Sequence, residues 1–147
     1  MGGIAFCALV LLCSESVMEA YPSMTAGHPF FMGFCKFALL ATLGECLALR
    51  LTKGVYMTAG FGLIPRAVVW GCLGVAISAA FMIFSAGAPV ILHLLGMEAA
   101  EQALSGPLGT TKILTAFSVS LTMNTMFAPI MMIAHKVADL HIAQYQG

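Results

Sequence analysis

From Ala67 to Met97 the chain runs thirty-one residues without one Asp, Glu, Lys or Arg. A single ionised side chain near the middle of a bilayer costs about 2.5–3.5 kcal/mol on insertion scales, so such a window marks where a chain can leave water. About 20 apolar residues cross the hydrocarbon core, and Gly87-Ala88-Pro89 offers an exit from the helix. The window predicts a membrane helix over about 65–88. A second window, Ile113 to His135, is uncharged over twenty-three residues between Lys112 and Lys136, whose long side chains can snorkel to opposite interfaces. It predicts a helix over about 110–138.

His28 to Arg50 is equally apolar but holds Lys36 and Glu45, and the reading places a third span at about 28–51. Ile4 to Ser14 is an apolar run of only eleven residues closed by Glu15 and Glu19. It has neither the basic start nor the small-residue cleavage site of a signal peptide, so a short retained helix over about 3–20, starting within the membrane, is expected. The fold class is all-α: an integral membrane bundle of four helices, three full spans plus the short N-terminal one, forming a single domain over 1–147.

Composition agrees. Apolar residues make up 61% and charged residues 8%, against roughly 25% charged in an ordinary soluble domain. This excludes a soluble enzyme domain, a disordered tail and a secreted disulfide scaffold. Formal net charge is zero, so no basic field recruits nucleic acid. The five cysteines are odd in number, sit in apolar runs and form no CxxC pair, so they read as small hydrophobes. The bilayer itself is the expected partner, with a homo-oligomer or a larger membrane complex beside it.

Arg50, Lys53 and Arg66 crowd the connection between the second and third helices, whereas Glu98 and Glu101 occupy the next one. The positive-inside rule then puts the first connection, and both termini, on the cytoplasmic or matrix side of a bacterial inner membrane or an organelle membrane.

Helix contact in lipid depends on small residues and interhelical hydrogen bonds. At 100° per residue Gly33, Ala41, Gly44 and Ala48 fall within about 80° of arc, and Gly71, Gly74 and Ser78 form a similar stripe; both are expected packing faces. Pro129 frees a carbonyl near Thr125 and kinks the last helix unless something re-satisfies it.

Ionisable groups at membrane depth are candidate functional residues. Lys36 either snorkels to the surface or faces a lumen or partner. Glu45 lies on the opposite face of its helix from Lys36 and needs a different partner; Arg66 is placed for it in an antiparallel hairpin, either as a clip or as a charge gate. Asn124 in mid-span calls for a hydrogen bond to another helix. His135, Asp139 and His141 read as an interfacial polar cap, since no HExxH or Cys/His cluster completes a metal site. No phosphate loop, nucleophile elbow or facing carboxylate pair appears. An enzyme is not expected, nor any cofactor or metal.

The polar residues together form a further pattern. His28-Pro29 leads into Lys36-Phe37 and Leu43-Gly44-Glu45; Ile64-Pro65-Arg66 precedes Gly71; Asn124 is followed by Pro129. This resembles the family of the 22-kilodalton peroxisomal membrane protein and its mitochondrial inner-membrane relatives, with Glu45 where the family has Asp. The resemblance implies a compact four-helix membrane protein forming a path for small solutes, with Gly44, Glu45, Arg66, Asn124 and Pro129 as carried-over positions. The reading is therefore a weakly selective channel or solute pathway; the alternative is a non-catalytic accessory or assembly subunit of a larger membrane complex.

Overall fold

Every regular element among the described residues is helical. The computed structural model describes residues 15–146 as α1 (Glu15–Gly27), α2 (Pro29–Lys53), α3 (Leu63–Leu94), the single turn α4 (Ala100–Ala103), α5 (Thr110–Thr122), a π-helical segment (Met123–Phe127) and α6 (Ala128–Gln146). Three helices are long and apolar enough to cross a membrane: α2, α3 and the continuous α5–π–α6 rod from Thr110 to Tyr145.

The N-terminal helix expected over 3–20 lies largely outside the described residues. From Glu15 it runs on to Gly27, seven residues past the expected end, with Pro22 inside it. Ser23 and Thr25 hydroxyls donate to the Ala20 and Tyr21 carbonyls at 2.8 Å in the turns beside the ring. The chain breaks at His28, and Pro29 opens α2, where a missing N–H costs nothing.

Helix α3 does not leave at Gly87-Ala88-Pro89 as expected. Ala88 and Pro89 are buried, so packing holds the ring within the helix, and the apolar residues after it continue to Leu94. Termination waits for Gly96, at φ 99°. There the Met97 N–H donates to the Leu92 carbonyl and the Gly96 N–H to that of His93, the Schellman closure that needs a left-handed residue.

Helices α2 and α3 form a tight antiparallel hairpin. A Cβ on Gly74 would stand 2.5 Å from the Gly33 carbonyl oxygen, and Gly71 lies against the Phe34 ring. Gly33, Gly71 and Gly74 are thus the close-approach points. Gly44 is not one: it is exposed, and a Cβ there would meet nothing within 4 Å. Ala48 is exposed too, and the buried positions of α2 are Gly33, Thr42 and Cys46. Thr42 and Cys46 lie about 180° and 140° around the helix from Gly33. A straight stripe assumes one contact face along the whole helix; here the face rotates as the far end turns Glu45 toward Arg66.

The last span packs on α3 and stands off from α2. Among the described residues no Cα of α2 lies within 8 Å of one in the last span, and the gap is bridged by side chains. Ahead of Pro129 the helix widens into the π turn, the Ala128 N–H donating to the Met123 carbonyl, a known way of seating a helical disruption. Thr122 donates to Ser118 O at 2.6 Å, Asn124 Nδ2 to Ser120 O at 2.8 Å and Thr125 to Leu121 O at 2.8 Å. The Asn124 bond is therefore made within its own helix rather than across to another, because the register shift at the π turn leaves local carbonyls for it.

Candidate functional site

Glu45 faces α3 from the last third of α2, Arg66 begins α3, and Trp70 follows Arg66 by four residues on the same helical face. His135 and Asp139 are likewise four apart on α6. The antiparallel hairpin brings the first three to one level, and the last span adds the other two. Arg66 Nη1 donates to Glu45 Oε2 at 2.6 Å and to Asp139 Oδ1 at 2.7 Å, while its Nε donates to the Phe61 carbonyl at 2.7 Å. Trp70 Nε1 donates to Glu45 Oε1 at 2.6 Å. His135 Nε2 stands 3.2 Å from that same oxygen and 3.7 Å from Asp139 Oδ1.

Each ionised member of this cluster has a partner, as half-buried charge requires; the four titratable side chains are 13–23% exposed. The guanidinium also lies over the Phe61 ring, 4.9 Å from its centroid, so the connection between α2 and α3 is tied to the site through both the carbonyl and the ring of one residue. The cluster lines an open recess of about 470 Å³ between α2, that connection and α6, which Thr52, Lys53 and Thr58 also border. Two carboxylates, Glu45 and Asp139, face two cations, Arg66 and Lys53, across it, with His135 beside them.

Glu45, His135 and Asp139 offer donor atoms all within 4.8 Å of one another, a spacing a divalent ion could use. Arg66 already takes that role. A unit charge about 4 Å from a guanidinium is repelled by about 4 kcal/mol at an effective dielectric of 20, and a divalent ion by twice that. The arrangement already holds a fixed cation, the Arg66 guanidinium, between the two carboxylates.

The other sequence candidates lie elsewhere. Lys36 sits over the Tyr21 ring of α1, 5.7 Å from its centroid, far along α2 from the cluster. Asn124 is exposed on the last span, and Pro129 is exposed just past the π segment. Gly71 and Gly74 serve the hairpin, and Gly44 faces outward. His141 parts from His135 and Asp139 and packs on Tyr145, 4.6 Å between ring centroids.

Sequence reasoning set His135 and Asp139 aside as an interfacial cap and missed Trp70. The available signal was two polar pairs at i, i+4, Arg66 with Trp70 and His135 with Asp139, each presenting one face at the level of Glu45. Compared with protein-family models, curated proteins and solved structures, the chain matches none.

Proposed function

We propose that this is a polytopic membrane protein giving small polar solutes or ions a weakly selective path, with the recess at Glu45, Arg66, His135 and Asp139 as its entrance. One observation carries the reading: each of three largely apolar spans brings a charged side chain, Glu45, Arg66 and Asp139, to a single open recess. Intramembrane ionisable residues are expensive and are retained where they face a cavity or pathway. At the recess α2 and the last span meet through side chains alone, His135 Nε2 standing 3.2 Å from Glu45 Oε1. The resemblance to the peroxisomal and mitochondrial channel-like family supports the same reading, as does the basic connection expected on the cytoplasmic or matrix side.

The test is current across planar bilayers from purified protein. Glu45→Gln removes one carboxylate from the entrance while keeping its shape, and a shift in conductance or cation-to-anion selectivity is expected. Normal folding with unchanged currents removes the entrance from the scheme.

A second reading, a non-conducting subunit of a larger membrane complex, is favoured by the last span. Only 6% of its most apolar window is buried, against 17% in each of the other two. Silence from folded protein, with other polypeptides retained in mild detergent, would select it.

A further inference from the structure

The least covered span carries an exposed carboxamide, Asn124, at mid-depth. Asn124 is twelve residues from Lys112 and twelve from Lys136, which at 1.5 Å per residue is about 18 Å from each. That places it near the centre of a hydrocarbon core of about 30 Å, out of reach of either headgroup layer. Its amide nitrogen is used by Ser120, at 2.8 Å to the carbonyl and 3.4 Å to the hydroxyl oxygen. Among the described residues its Oδ1 accepts nothing, and the Ser120 hydroxyl proton is donated to nothing. Both residues are exposed, and lipid tails offer no hydrogen bond to either.

We propose that the face of the last span bearing Ile113, Phe117, Ser120 and Asn124 is the interface for a second copy of this chain, related by a two-fold axis along the membrane normal. These four residues fall within about 60° of arc at 100° per residue, and Ile113 and Phe117 are 57% and 61% exposed. Ser120 at the centre is small enough to let two helices approach, as membrane helix pairs require. The unused groups are one acceptor and one donor, a self-complementary set of the kind an isologous contact satisfies twice.

A second copy is the occupant that the depth selects. Inserted in the same orientation, it brings its own Asn124 and Ser120 to the same level, so each Oδ1 meets a donor from the other chain. A different partner would need a polar group placed independently at that level. A recess of about 200 Å³ lined by Phe81, Ser85, Ala116, Ser120 and Asn124 opens beside the amide and provides a hole for a partner side chain. The pairing stands whether or not the protein conducts.

The experiment uses fluorescently labelled full-length protein in liposomes, with photobleaching steps counted as the protein-to-lipid ratio falls. Two-step traces are expected for the native chain. Asn124→Leu should weaken pairing about tenfold, the loss expected from interhelical hydrogen bonds in lipid, and Asn124→Gln should retain it. A cross-link needs no change at the amide: Phe117→Cys should give an oxidised dimer above the native-cysteine background, while Leu40→Cys, exposed on α2, should not. One-step traces at all ratios, larger rings, equal pairing of Asn124→Leu and native protein, or no Phe117→Cys cross-link would each overturn the proposal.

Discussion

Trp70 and His135 share one oxygen of Glu45. The indole N–H donates to Oε1 at 2.6 Å and His135 Nε2 stands 3.2 Å from it, while the two rings lie 4.2 Å apart between centroids. The tryptophan of α3 and the histidine of α6 are thus held together by a carboxylate of α2, which itself makes no backbone approach to the last span. Trp70 is the single tryptophan of the chain, so its fluorescence reports on this junction without labelling.

Arg66 is the member whose chemistry is hardest to replace. Its Nε serves Phe61 O while Nη1 serves both carboxylates, a fork that a lysine ammonium cannot reproduce. Arg66→Ala leaves Glu45 and Asp139 facing each other without the guanidinium that joins them. A loss of up to about 3–5 kcal/mol is expected, the range for breaking a buried pair on one side. Arg66→Lys should recover only part of it. Thermal unfolding in detergent, followed by Trp70 emission, ranks native, lysine and alanine forms in that order; equal midpoints for lysine and native protein would show that charge alone suffices.

The hairpin predicts opposite outcomes for two glycines on one helix or its neighbour. Gly74→Ala drives a methyl into the Gly33 backbone, and overpacking of this kind costs about 1–3 kcal/mol. Gly44→Ala meets open space and should be neutral or stabilising by up to about 1 kcal/mol through helix propensity. Comparing the two by unfolding midpoint checks the rotated contact face; a destabilising Gly44→Ala would restore the straight stripe.

Thr42 is buried on α2 and its hydroxyl has no hydrogen-bond partner among the described residues. Valine has the same shape without the polar atom. Replacing an unsatisfied buried hydroxyl by an apolar isostere is expected to be neutral or to stabilise by about 1–3 kcal/mol, read as an unchanged or higher midpoint. A fall in stability would reveal a bond that the hydroxyl makes.

The charge-free windows made the spans legible because ionised groups in hydrocarbon are excluded on energy alone. Both limits of α2 and the start of the last span lie close to that rule, whereas α6 runs on to Gln146, eight residues past the expected end. Local breakers were less decisive. Pro89 looked like an exit, yet Ala88 and Pro89 are buried and α3 runs on to Leu94, while Pro22 lies inside α1 and Pro129 follows a π turn. Of the polar cluster, Glu45 and Arg66 were legible as a pair because a hairpin joins them through a short connection. His135 and Asp139 lie about 70–90 residues from them, and their arrival depends on how the last span docks, which no local pattern encodes. Asn124 drew notice for its depth, but its bond to Ser120 follows from a π turn that periodicity does not announce.

The contrast between the glycine-locked hairpin and the side-chain-bridged gap has a mechanical consequence. Helices α2 and α3 touch through backbone, so separating them means opening a dry, close-packed seam. The last span is fastened to α2 by a few charge-assisted bonds gathered at one end. Any movement that widens the molecule therefore has an inexpensive direction, a swing of the final rod about its contacts with α3, latched by Arg66. The control variable for such a swing is the company kept by one guanidinium: whatever parts Arg66 from Asp139 frees the rod at that end.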